Sequence, residues 1–424
     1  MRPIRACIDL SALTFNLQLI KKIAKNSKVM AVLKANAYGH GLEESVKALK
    51  NAEGLAVLTV DEAIKTRKVG YKNTILLLEG FFRAEEVYEA ERLNLNIVIH
   101  NEKQIDFLNN AVLKKPLDIH LKINTGMNRL GFPPDDIDYL IENLNANPNI
   151  SDITLMTHFA TADEKEGIKK QLDCFNQATN KYNLSTSVAN SAALYKFPES
   201  RLDWVRPGIM LYGASPFEDI PSKELHVKPV MSLVSEIIAI QDVKLGEAVG
   251  YGNSYVAKQD MRIGIVACGY GDGYPRHAKT GTPIMVDQIT TTTVGRVSMD
   301  MLFVDLSDNL NADIGSKVEM WGKHISVDDV AMNSGTVGYE LLCNISAFQC
   351  RECGGNSSKW QGQCPHCFAW NTLEEVILES KTPSRFASLS KTNELTNLDD
   401  VKALSIPKRK TNISEFDRVL GGGF

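Results

Sequence analysis

A lysine at the end of an apolar run is the first residue in this sequence that could do covalent chemistry. In VMAVLKANAYGHG, residues 29–41, the run delivers Lys34, and small residues, Tyr38 and two glycines follow. Were that run a strand of a β/α barrel, its carboxyl end would face the site. A lysine desolvated there has a lowered pKa and can condense with an aldehyde as a Schiff base. Spacing alone favours the blander alternative, a solvated lysine at a strand end. A second group lies far along the chain. Cys350, Cys353, Cys364 and Cys367 give C-x2-C, ten residues, then C-x2-C. Four thiolates so spaced can close a tetrahedral structural Zn2+ site, each pair forming one knuckle. His366 lies between two of these ligands and reads as exposed rather than coordinating. A stretch of about 20 residues has no core of its own, so the metal would supply most of its folding energy.

The elements that must position these groups fall into successive regimes. At 424 residues the chain is long enough for two or three domains. Apolar runs at Val29–Leu33, Ile75–Leu78, Ile97–Ile99, Ile119–Ile123 and Ile153–Met156 read as buried strands. Segments with helical periodicity separate them, as βαβ units require, and so many units favour a β/α barrel over an open sheet. After about Pro229 the sequence turns β-branched and Gly-punctuated, which reads as a mainly β domain. The expected domains are thus 1–228 (barrel), 229–347 (β domain), 348–370 (four-cysteine zinc ribbon) and 371–424. That last stretch carries eight Lys/Arg and eight Asp/Glu without clear periodicity, and reads as linker or disorder rather than a basic arm.

Composition excludes little but points one way. The net charge of -4 gives no electrostatic reason for a nucleic-acid or membrane partner. No apolar run is long enough to span a bilayer, and MRPIRACIDLSAL lacks a signal core, so a cytoplasmic protein is expected. The remaining cysteines, Cys7, Cys174, Cys268 and Cys343, are scattered and read as small hydrophobes.

AVLKANAYGHG closely resembles the pyridoxal-phosphate attachment motif of alanine racemases. The likeness continues in order through LKINTGMNRLGF (121–132), THFATAD (157–163), NSAA (190–193) and RPGIMLYGASPF (206–217). GYGDGYPR (269–276), VGRVSMDM (294–301) and GTVGYELLC (335–343) extend it over roughly residues 2–346. The resemblance implies an eight-stranded β/α barrel, a C-terminal β domain and a head-to-tail homodimer that interconverts L- and D-alanine, supplying D-alanine for peptidoglycan. Lys34 would hold pyridoxal 5'-phosphate as a Schiff base and serve as one catalytic base. Tyr38, Ser191, Gly208, Ile209 and Tyr339 would hold the phosphate. His158 would lie near the cofactor ring and bond to Arg206, which would face the pyridine nitrogen. Tyr270, donated by the partner subunit, would be the second base. Arg129 and the backbone at Met299 would bind the substrate carboxylate, and Asp300 would orient nearby groups. Lys122 corresponds to a lysine that some members carry as a carbamate. Asn124 stands where many members have Asp. Read alone, NSAA is an ordinary strand-to-helix turn, His158 a packed core histidine and Tyr270 a structural aromatic.

The cysteine cluster belongs to a different resemblance. FQCRECGGNSSKWQGQCPHCFAWNTLEE resembles the N-terminal zinc ribbon of the RadA (Sms) DNA-repair ATPases, with Phe368 where a Gly usually follows the last ligand. ISEFDRVLGGGF resembles the lead-in to that family's ATP site, yet no G-x-x-x-x-G-K-[ST] motif occurs in the sequence. Both resemblances are cut at the joint, as a fusion of two reading frames would leave them, with the ribbon as a passive tail. Other readings are a racemase of the same fold with a broader amino-acid range, a non-catalytic pyridoxal-phosphate carrier, and a DNA-repair module built on the ribbon.

Overall fold

The computed structural model describes residues 2–345 without a break and, beyond them, 348–350, 356–357, 368–370 and 373–375. Eight parallel strands close a barrel: Lys28–Val32, Gly54–Val57, Thr74–Leu77, Asn96–Ile99, Leu117–Lys122, Ile150–Met156, Ser185–Ser187 and Trp204–Val205. The last pairs back onto the first through Lys28 with Trp204 and Val29 with Val205. Strands covered on both faces are mostly apolar, and Gly54–Val57 is buried at every residue. Helices precede and separate the strands, and side-chain caps set the starts of some of them. Asp9 accepts hydrogen bonds from the backbone N–H of Ser11 and Ala12 to open Leu10–Ile23. Thr59 and Glu62 form a capping box that opens Val60–Lys68.

The second domain is an antiparallel sheet of seven strands. Its order is Arg5–Ile8, Met231–Val243, Met261–Val266, Leu302–Asp305, Ile289–Val294, Pro283–Val286 and Lys317–Trp321. Lys317–Trp321 pairs also with Met231–Val243, so six of the strands form a ring. One hydrophobic cluster runs from the barrel helices into this sheet, including Leu13, Leu55, Leu233 and Trp321.

Two boundaries differ from those expected. Residues 1–228 were assigned to the barrel, but Arg5–Ile8 pairs with Met231–Val234 and belongs to the β domain. Its RACI sequence is too short to show a periodicity, and a partner more than two hundred residues away leaves no local trace. The ribbon was expected to end at 370. Leu373–Glu375 instead pairs with Phe348–Cys350, which also pairs with Asn356–Ser357, in a small three-stranded sheet. The linker and ATPase-like lead-in beyond 375 lie outside the described residues, as do Cys353, Cys364, Cys367 and the side chain of Cys350. Among the described residues no helix is long and apolar enough to cross a membrane.

Candidate active site

Lys34 follows the first barrel strand at its carboxyl end, where barrel sites are built. The four residues after it are all left-handed: Ala35, Asn36, Ala37 and Tyr38 have φ of 54°, 52°, 55° and 52°. For residues with a Cβ this costs about 1–2 kcal/mol each, so neighbouring contacts must hold the turn. Asn36 Oδ1 accepts from Leu42 N–H at 2.8 Å. His40 Nδ1 lies 3.0 Å from Ala37 O and 2.8 Å from Tyr38 O, so it carries the proton and donates to them. At Gly39 (φ 79°) a Cβ would fall 2.3 Å from Leu342 O, so glycine lets the last helix of the β domain, Gly338–Cys343, close on the turn.

The turn aims Tyr38 into a cradle of small groups. Gly208 N–H donates to Ser191 Oγ at 2.9 Å. A Cβ at Gly208 would lie 2.7 Å from the Tyr38 hydroxyl, so only glycine lets the phenol reach this spot. Ser191 opens the short helix Ser191–Lys196, and Ile209 begins the 3-10 turn after Gly208. The Tyr38 ring stacks on Tyr212 at 4.7 Å and meets Tyr339 at 6.0 Å. Burial pushes the hydroxyls of Tyr38 and Tyr339 well above the usual phenol range, so both stay neutral O–H donors. Neutral donors around a space kept open by glycine suit a phosphate.

Just past the last barrel strand Arg206 is buried, and its acceptors are all neutral. It donates to Ser187 Oγ and Thr157 O, both at 2.7 Å, and its Nη2 lies 3.3 Å from His158 Nδ1. Burial lowers the guanidinium to about 9. The His158 ring is held neutral by burial first and by Arg206 second. Lys122 ends its strand nearby, and burial, then Arg206 and Arg129, lower its amine to about 8. Lys122, Arg129 and His158 line one small pocket. Asn124 shapes the loop that carries Arg129, since its Oδ1 accepts from Gly126 N–H at 3.2 Å and from Asn128 N–H at 3.0 Å. An asparagine does this as well as an aspartate.

Tyr270 stands on the short 3-10 turn Tyr270–Asp272 of the β domain, 37% exposed. Its N–H donates to Ser298 O at 3.0 Å, and Gly271 N–H donates to Met299 O at 2.8 Å. The turn and the Ser298–Asp300 loop are therefore joined backbone to backbone. Met299 itself is 56% exposed.

The structure thus gathers Tyr38, Ser191, Gly208, Ile209 and Tyr339 into one cradle at the barrel mouth, and Lys122, Arg129, His158 and Arg206 into a second group, with the charge of Lys34 reaching Lys122 and His158. Tyr270 and Met299 form a third group on the β domain. Sequence reasoning passed over His40, Tyr212, Asp272 and Arg2. The first three lie inside segments quoted for the resemblance, while nothing in the sequence marks Arg2. The side chains of the four ribbon cysteines lie outside the described residues, and among the described residues no cluster of possible metal ligands occurs.

Comparison with known proteins agrees with this arrangement. The alanine racemase N-terminal domain matches residues 8–216, and the C-terminal domain 230–352. A rubredoxin metal binding domain matches 348–375, over the four cysteines. That match is named for metal binding rather than for the repair ATPases. An alanine racemase of Nitrosospira multiformis is 50% identical over 348 residues, which are 81% of this chain and 98% of the relative. A catabolic alanine racemase of Klebsiella aerogenes is 51% identical, over 81% of this chain and 97% of its own. The biosynthetic alanine racemase of Pseudomonas aeruginosa superposes with a TM-score of 0.79 at 45% identity, over 81% and 97% of the two chains. With both domains matched in order and the barrel mouth built as described, the chain belongs to the alanine racemases, pyridoxal-phosphate-dependent isomerases, and carries behind that fold a segment similar to a rubredoxin metal binding domain.

Proposed function

We propose that this chain interconverts L- and D-alanine with two bases, Lys34 and Tyr270, on opposite faces of Cα. The observation that carries the proposal is the Lys34 turn beside the Tyr38–Ser191–Gly208 cradle. Pyridoxal phosphate, attached through Lys34, supplies the electron sink that acidifies the Cα proton. Tyr38, Ser191, Tyr339 and the backbone at Gly208 and Ile209 hold its phosphate. Arg206 would face its ring nitrogen; a guanidinium donates and cannot accept a proton from that nitrogen, which would therefore be left unprotonated. A sink so weakened would favour return of the proton to Cα by Lys34 or Tyr270 over transamination. Arg129 and the backbone at Met299 orient the substrate carboxylate. The partly exposed Tyr270 is offered to the site of a second copy, so the working unit is a homodimer. The test is D-alanine formation from L-alanine by the purified full chain. Retained activity in Lys34→Ala would defeat the reading.

Lys122 is proposed to react with carbon dioxide, because an amine near 8 is about a tenth neutral at pH 7. The resulting carbamate would face Arg129. A carbamate resonance in the wild type after 13C-bicarbonate, absent in Lys122→Ala, supports this; identical spectra would refute it. Cys350, Cys353, Cys364 and Cys367 are proposed to bind one Zn2+, and metal analysis should find it in the wild type but not in Cys353→Ala. Two physiological directions are open to a racemase. The catabolic relative of Klebsiella aerogenes favours L-alanine breakdown beside D-alanine supply. Induction of the gene by L-alanine would decide for breakdown.

A further inference from the structure

We infer that Arg2 is a positioning residue that locks the Tyr270 turn and the Ser298–Asp300 loop into one rigid unit. The inference rests on the two-base reading above and adds to it a residue on neither loop. Arg2 Nη1 donates to Asp272 Oδ1 at 2.6 Å, while Nη2 donates to Asp300 O at 2.5 Å. The Asp300 carboxylate lies 3.6 Å from the same guanidinium. Asp272 is buried, and its second oxygen accepts from Gly269 N–H at 3.0 Å. The guanidinium fork therefore spans two loops whose backbones already meet at Tyr270 N–H to Ser298 O and Gly271 N–H to Met299 O. A planar fork bonded to two fixed acceptors restrains orientation as well as distance, which an ammonium on a flexible stem does not.

Three residues ahead of the strand Arg5–Ile8, Arg2 draws its own place from that strand's pairing with Met231–Val234. Sheet register thus passes through Arg2 to the loop that presents Tyr270 and to the Met299 backbone, whose N–H is the group able to donate to a carboxylate. A base and a carboxylate contact held in this way move together, keeping the distance between them constant. Misplacing a reacting group by about 1 Å can cost about 100-fold in rate, so loosening the clamp should be visible in the Tyr270 step.

The experiment compares wild type, Arg2→Met, Arg2→Lys and Tyr270→Phe as full-length chains. Hydrogen exchange of the cofactor-free proteins should rise in Arg2→Met at residues 269–273 and 298–300 while the barrel strands stay unchanged. With cofactor, Arg2→Met should lose about 10- to 100-fold in racemisation. Its primary isotope effect should grow with one α-deuterated enantiomer of alanine, the one whose proton Tyr270 removes, and not with the other. Arg2→Lys keeps one ion pair without the fork and should fall between. Unchanged exchange at 269–273, or an isotope effect that grows equally for both enantiomers, would overturn the inference. If Tyr270→Phe itself leaves rate and isotope effects unaltered, the two-base reading fails and takes the inference with it, whatever Arg2→Met does.

Discussion

The two proposed bases stand in opposite kinds of surroundings. Lys34 leads a left-handed turn packed against Tyr212, His40 and the last helix of the β domain. Tyr270 rides on a short 3-10 turn, partly open to solvent and fixed through its backbone and Arg2. One base is aimed within its own fold. The other is held at its root and by Arg276, 5.9 Å from its ring centroid, as expected of a group whose target lies on another subunit. A strained, enclosed turn suits the residue that must hold a cofactor, whereas a clamped, exposed turn suits one that must be offered outward.

The largest effect should come from the enclosed side. Lys34→Ala should cut racemisation by about 10⁴-fold or more and abolish borohydride trapping of the cofactor on the chain. Trapping that persists would move the attachment point and dissolve the contrast. Tyr270→Phe should lose about 10²- to 10⁴-fold with trapping, fold and melting temperature intact. Cofactor loss in that variant would mean the exposed turn serves the cradle too. Gly208→Ala should weaken cofactor binding by about tenfold through the clash with the Tyr38 hydroxyl, read by fluorescence titration. Equal affinity would show the phenol is free to move.

The smallest effect is on stability and sharpens the picture of a dry barrel. His120 is buried on the strand Leu117–Lys122 with both ring nitrogens unpartnered, and burial lowers it to about 3. The unfolded chain takes up a proton there below about 6.5 and the folded one does not. Stability is therefore lost as pH falls from about 6.5 toward 3. For this residue the loss at pH 5 is about 2 kcal/mol. Urea unfolding of wild type and His120→Leu at pH 7 and pH 5 should show that much less acid loss in the variant. Parallel losses would mean that water reaches the ring.

Much of the barrel was readable because its strands at Val29, Ile75, Ile97, Ile119 and Ile153 are continuous apolar runs. Three strands were not: Gly54–Val57 is short and opens on a glycine, while the three-residue polar strand Ser185–Ser187 and the two-residue Trp204–Val205 carry no periodicity. The site residues were found through quoted motifs, and those motifs did not disclose backbone shape. KANAY is rich in alanine and, on propensity, favours a right-handed turn; only the contacts from Leu42, His40 and Leu342 make it left-handed. Arg2 could not be read at all, because its meaning depends on the sheet register that brings residues 2, 272 and 300 together.

The pairing of Arg5–Ile8 with Met231–Val234 also bears on modularity. The barrel is threaded through the β domain as an insertion, so no single cut between 228 and 229 separates two self-sufficient pieces. A fragment excised from 229 onward would leave one side of Met231–Val234 unpaired, an open edge ready to capture a foreign strand. Supplying the first nine residues through a short linker, or as a peptide in trans, would restore the missing edge. In this chain the second domain begins before the first.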